Sequence, residues 1–152
     1  MNRFIISIIV LLILNTNLYS QNETVKVKII DEEELEALPG VRIQVNDSII
    51  GQTNLKGEFE IPFIPNELTI GDLGLEDAII KNSCNNLEIV MLGDYTYDFI
   101  SLKKVDRLRM KRFKQLPKLH KQAYEKGIFK TEQPCYTREF IPYYKGKKKK
   151  AE

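Results

Sequence analysis

The stretch Gly51-Gln52-Thr53-Asn54-Leu55-Lys56-Gly57-Glu58-Phe59-Glu60-Ile61 decides the fold. Residues 54–57 form a tight turn in which Gly57 supplies a torsion that side chains resist. Beyond it Phe59 and Ile61 alternate with Glu58 and Glu60, the period of a strand with one face buried and the other in water. The same grammar extends in both directions. Upstream, Val25, Val27 and Ile29 alternate with Lys26 and Lys28, and Val41, Ile43 and Val45 alternate with Arg42 and Gln44. Leu38-Pro39-Gly40 and Asn46-Asp47-Ser48 punctuate these runs as turns, and residues 49–53 form a short strand. Downstream, Pro62 and Pro65 force a crossing loop because neither can donate to a ladder. Leu68 and Ile70, residues 78–80, and Leu87, Ile89 and Met91 complete the set. Six or seven short strands at roughly ten-residue spacing predict a mainly β protein, a small antiparallel sandwich or barrel.

The first strand, the Leu38-Pro39-Gly40-Val41 turn, the 51–61 stretch and the later Leu68-Thr69-Ile70 and Leu73-Gly74 together resemble the carboxypeptidase regulatory-like domain. The resemblance covers about residues 24–92. It implies a transthyretin-like β-sandwich of the kind found in cell-envelope proteins of Gram-negative bacteria. Two positions depart from the pattern: Asn54 stands where the family usually has an acid, and Leu75 where an aromatic commonly follows glycine.

The N-terminus reads as an address rather than a fold. Arg3 precedes the apolar run Phe-Ile-Ile-Ser-Ile-Ile-Val-Leu-Leu-Ile-Leu at 4–14, and polar residues lead to Ser20. A charged start, a short apolar stretch and a small residue at the cut are the parts of a secretory signal peptide, and the run is short of the roughly 20 residues that span a bilayer. Residues 1–20 are therefore expected as a signal peptide, 22–92 as the sandwich, 93–146 as a helical basic extension and 147–152 as a disordered Lys-rich tail. Export implies the periplasm, association with the outer membrane, or the extracellular space. In those compartments Cys84 and Cys135 can form one internal disulfide; free thiols and a bond to another chain remain open.

Charge divides the chain. Residues 21–102 hold 5 basic and 16 acidic side chains, a net −11, and residues 103–152 hold 17 basic and 5 acidic, a net +12. On a helical wheel of residues 99–116, Phe99, Leu102, Val105, Met110, Phe113 and Leu116 share one arc. Lys103, Lys104, Arg107, Lys111 and Lys114 fall opposite, a face suited to an anionic surface. The apolar arc is expected to roof an open face of the sandwich. Pro117 breaks this helix and starts a second one at 118–126, which Gly127 ends.

No constellation for chemistry emerges. A zinc peptidase site draws on at least three protein ligands, typically two histidines and a carboxylate, and His120 is the only histidine. It reads as an ordinary surface or interface residue. There is no G-x-S-x-G, no phosphate-binding glycine loop and no CxxC, and no cofactor or nucleic-acid partner is implied. The acidic run 31–36 matches no calcium motif and reads as a solvated loop. Asp47-Ser48-Ile49 resembles a short acceptor pattern of bacterial O-glycosylation. Together these features imply a non-enzymatic exported envelope protein acting as a binding or assembly module. The alternative is a peripheral membrane or lipopolysaccharide-binding protein acting through the basic amphipathic helix.

Overall fold

The computed structural model describes residues 24–81 and 83–144. The expected signal segment and the terminal lysine run lie outside the described residues. Among the described residues there are eight strands in two sheets and two helices. The strands are β1 (Val25–Asp31), β2 (Arg42–Val45), β3 (Ser48–Gln52), β4 (Glu58–Ile61), β5 (Glu67–Gly71), β6 (Ala78–Lys81), β7 (Asn86–Met91) and β8 (Thr137–Arg138). The helices α1 (Leu102–Phe113) and α2 (Leu116–Glu125) lie between β7 and β8.

One sheet runs β4-β1-β7 and the other β3-β2-β5-β6-β8. Val25, Val27 and Ile29 on β1, Leu87 and Ile89 on β7, and Ile61 on β4 meet Ile43, Leu68, Ile70 and Ile80 from the facing sheet. Most of these are fully withdrawn from water, and the alternation of their neighbours places Lys26, Glu58 and Glu60 outside. Burying a branched aliphatic side chain contributes about 1.5–3 kcal/mol, so this sandwich core is the principal stabilising term.

Turn chemistry agrees with the sequence. Asn46 and Asp47 both take positive φ, 50° and 61°, which makes the β2–β3 connection a two-residue hairpin of the mirror-image type that suits strand twist. In the 51–61 stretch, Asn54 Oδ1 accepts the Lys56 and Glu58 N–H groups at 2.8 and 3.0 Å. Gly57 sits at φ 69° with its Cα directed at the Ile29 carbonyl, leaving no room for a side chain.

One expectation needs correcting. The sandwich is not wholly antiparallel, because β1 and β7 pair in parallel, Val27 beside Leu87 and Ile29 beside Ile89. A parallel pair needs a long crossover, and the five intervening strands supply it. Period-2 alternation reports faces and not strand direction, so the pattern alone was silent on this.

The helices also differ from the wheel. Residues 99–116 do not form one helix: α1 begins only at Leu102, Phe99 sits outside it at φ 62° and fully exposed, and Leu102 is exposed as well. Leu116 belongs to the first turn of α2 beside Pro117, whose missing N–H is harmless there. The apolar roof is α2. Ala123 and Phe129, with Leu116, Leu119 and Ile128, cover Ile30 and Val90 on the outer face of β1 and β7, and Leu35 closes the cluster. Gly127 at φ 73° ends α2, with its own N–H bonded to Tyr124 O and the next N–H, of Ile128, to Ala123 O, a Schellman cap. Glu88 then holds the following loop, accepting Lys130 N–H at 2.6 Å, Thr131 N–H at 3.0 Å and the Thr131 hydroxyl at 2.7 Å. The chain returns to the sandwich as β8 on the edge of β6, and a Cys84–Cys135 disulfide with Cα atoms 6.0 Å apart lies beside that return.

Candidate binding site

Helix α1 docks by charge more than by apolar contact. Val105 is its one buried aliphatic residue, and beside it Arg109 is 3% exposed. Arg109 Nη2 donates to Glu76 Oε2 at 2.9 Å, and its Nη1 to Asp106 Oδ1 at 3.2 Å and to Ile141 O at 2.9 Å. Its guanidinium lies 3.5 Å from the centre of the Tyr143 ring. One turn on, Arg112 donates to both oxygens of Glu32, to Glu76 Oε1 at 3.4 Å, to the Tyr97 hydroxyl at 3.2 Å and to Gly93 O at 2.8 Å. Glu76 is 4% exposed and faces both arginines. Burial works against both guanidinium charges, but Glu76 for Arg109 and Glu32 for Arg112 outweigh it and raise them above the ordinary arginine range. For Asp106, burial pushes the carboxyl upward, and N–H groups of Tyr143 and Tyr144, each 2.8 Å away, pull it below its usual value. The joint thus ties α1 to the β5–β6 and β1–β2 connections and to the chain after β8.

The opposite face of α1 is the basic ridge expected from sequence. Lys103, Lys104, Arg107, Lys111 and Lys114 are all exposed. Leu108 is exposed beside them.

Between α1, α2 and the returning strand lies a cavity of about 350 Å³ lined by Val90, Phe113, Lys114, Leu116, Pro117, His120, Pro134, Tyr136 and Arg138. Arg138 donates from Nη1 to Val90 O at 3.0 Å, and its Nε is buried without a partner. Its guanidinium carbon stands 5.9 Å from the centre of the Phe113 ring. Desolvation holds this guanidinium below the ordinary arginine range. Desolvation likewise pushes the neighbouring Tyr136 phenol up to about 12.

Of the two readings of His120, surface or interface residue, the surface one is excluded, since it is 2% exposed. Its ring packs against Phe129 with centroids 4.8 Å apart, and Nε2 donates to Thr131 O at 3.1 Å because a carbonyl can only accept. Burial lowers its pKa, so the ring is neutral near pH 7 and Nδ1 is an acceptor, buried with no partner.

A larger groove of about 580 Å³ runs along the outer face of β4, β1 and β7. Two of its lysines are paired across the strands, Lys28 with Glu58 at 3.2 Å and Lys26 with Glu60 at 3.8 Å. The smaller cavity is lined by Arg138 and Lys114, with no acidic side chain among its lining residues.

The acidic run 31–36 is more than a solvated loop. Asp31 accepts the N–H groups of Glu33, Glu34 and Glu36, Glu32 pairs with Arg112, and Leu35 is buried. Among the described residues no group of three or more His, Cys, Asp or Glu is placed to hold a metal, and no described helix is long and apolar enough to cross a membrane. Sequence reasoning missed Glu76, Arg109, Arg112 and Arg138. The available signal was spacing: Val105, Arg109 and Arg112 lie four and three residues apart and therefore on one helix face. No family model matches the chain, and no counterpart was found among the curated proteins or the solved structures.

Proposed function

We propose that the chain is a non-enzymatic, exported binding module of a Gram-negative cell envelope. Its body is a transthyretin-like sandwich of the carboxypeptidase regulatory-like kind, and its helices are a fixed wall of that body. The observation that carries this reading is the buried Glu76–Arg109 contact at 2.9 Å, with Arg112 beside it. A helix held through buried ion pairs is costly to lift away, because parting them leaves an uncompensated charge. The inward face of α1 is thereby committed to the sandwich and is not free to enter a bilayer. The apolar N-terminal run and the cysteine pair support export, and the lone, buried His120 supports a role other than hydrolysis.

A second reading rests on the exposed ridge, where Lys103, Lys104, Arg107, Lys111 and Lys114 stand near exposed Leu102 and Leu108. That arrangement suits contact with lipid headgroups or lipopolysaccharide phosphates. Co-sedimentation with anionic vesicles at low and high salt separates the two readings. A binding module stays in the supernatant at about 0.1 M salt, and reversing the five cations to Glu leaves its localisation unchanged. Salt-sensitive pelleting that the reversal abolishes overturns the proposal in favour of the membrane reading.

A further inference from the structure

Arg109 and Arg112 meet carboxylates, and Arg138 does not. Among the described residues Arg138 joins no ion pair and gives one hydrogen bond, from Nη1 to the Val90 carbonyl, while its Nε is withdrawn from solvent without a partner. Arg138 is half-buried and keeps its charge at any physiological pH; Glu76 and Glu32 act on it only at a distance, with no carboxylate in contact, so its partial desolvation is incompletely offset. The cavity it lines has Lys114 as a second cation and no acidic side chain in its wall. One further feature favours negative charge there. Leu116 and Pro117 in the wall belong to the first turn of α2, whose N-terminus has no capping side chain and no acid in that turn.

The rest of the wall is apolar, with Phe113, Leu116 and Tyr136 prominent. A free inorganic anion would satisfy Arg138 and leave that surface unused. An apolar molecule would use the surface and leave the cation unpaired. The volume of about 350 Å³ matches roughly twelve waters at about 30 Å³ each, which bounds the ligand to about a dozen non-hydrogen atoms.

We propose that this cavity binds a small organic carboxylate with a compact apolar body, its carboxylate paired with Arg138 and its body against Phe113, Leu116 and Tyr136. Arginine suits the task because its fork presents two parallel donors to a planar carboxylate. The inference rests on the binding-module reading, since the cavity is walled by the docked helices.

The test is calorimetric titration of the full chain with 4-phenylbutyrate and with 4-phenylbutyramide, which share an apolar body and differ in charge, and with inorganic phosphate. The acid is expected to bind at least about tenfold more tightly than the amide, the range of a charge-assisted contact, and phosphate not at all. Arg138→Gln should reduce the acid to the affinity of the amide, and Lys103→Glu with Arg107→Glu should change nothing. Leu116→Trp, which fills the cavity from its wall, gives a second variant in which binding must disappear while the protein still melts cooperatively. Equal affinity for acid and amide, no binding at millimolar concentration, or acid binding that survives Arg138→Gln overturns the ligand class. Those results, obtained with a protein that melts as one unit and ignores vesicles, leave the module reading standing; vesicle binding would remove that reading instead.

Discussion

Replacing Glu76 by Gln keeps the shape of the side chain and removes its charge from between Arg109 and Arg112. Arg109 is then left with Asp106 at 3.2 Å and the Ile141 carbonyl at 2.9 Å, and Arg112 with Glu32. Breaking a buried pair by deleting one partner costs about 3–5 kcal/mol. Because each arginine retains a second carboxylate, the lower end applies, about 3 kcal/mol, or on the order of 10 °C in melting temperature for a chain of this size. Urea denaturation followed by far-ultraviolet circular dichroism reads this as a lower midpoint at unchanged slope. Arg109→Met alone leaves Glu76 buried beside a single arginine and should cost a similar amount. The double variant Glu76→Leu with Arg109→Met removes both charges and should recover to within about 1 kcal/mol of wild type, as buried pairs replaced by apolar residues do. A Glu76→Gln protein within about 0.5 kcal/mol of wild type, the scatter of ordinary surface changes, would refute the claim that this joint holds α1 to the sandwich.

Other outcomes follow from single features. His120 has a folded pKa lowered below its ordinary 6.5, so the unfolded chain binds the proton more readily. Stability should therefore be complete above about pH 6.5 and fall as pH drops below it, and His120→Gln should flatten that part of a melting-temperature profile. Reducing Cys84–Cys135, which spans 51 residues, should cost about 4 kcal/mol in the chain-entropy model, measured by urea titration with and without reductant. Gly57→Ala should cost about 2 kcal/mol, from a left-handed torsion and a Cβ driven into the Ile29 carbonyl, and a neutral result by the same titration would show that the turn relaxes. Val105→Asp should destabilise by several kcal/mol. It is a cleaner probe of α1 docking than Phe113→Asp, which would set a carboxylate near the guanidinium of Arg138.

The sandwich was legible because its rules are local. Alternation around Phe59, the Asn46-Asp47 turn and the glycine at 57 each state a conformation within a few residues, and the strands appear where those signals place them. Direction and partner are non-local, which is why the parallel β1–β7 pairing was missed. The helices show the limit of an apolar arc. Phe99 and Leu102 matched the wheel yet are exposed, because the helix begins only at 102 and its inner face is anchored by Arg109 and Arg112. A buried arginine looks in sequence like a solvated one, since what buries it is a carboxylate some 33 residues away at Glu76. Lys103, Lys104, Arg107 and Lys111 are exposed on α1, whereas Lys114 follows the helix and, though exposed, lines the cavity. Arg138 and His120 were not legible as neighbours of one cavity, since both line it only once the chain has returned as β8 on the edge of β6.

Native-state hydrogen exchange tests the central claim most directly, that the helices and the sandwich are one unit. With α1 docked through Arg109 and Arg112, the slowest α1 amides should open with the same free energy and the same urea dependence as those of Ile29 and Ile89 in the paired strands β1 and β7. Fast, urea-independent exchange throughout α1, while Ile29 and Ile89 remain protected, would contradict it.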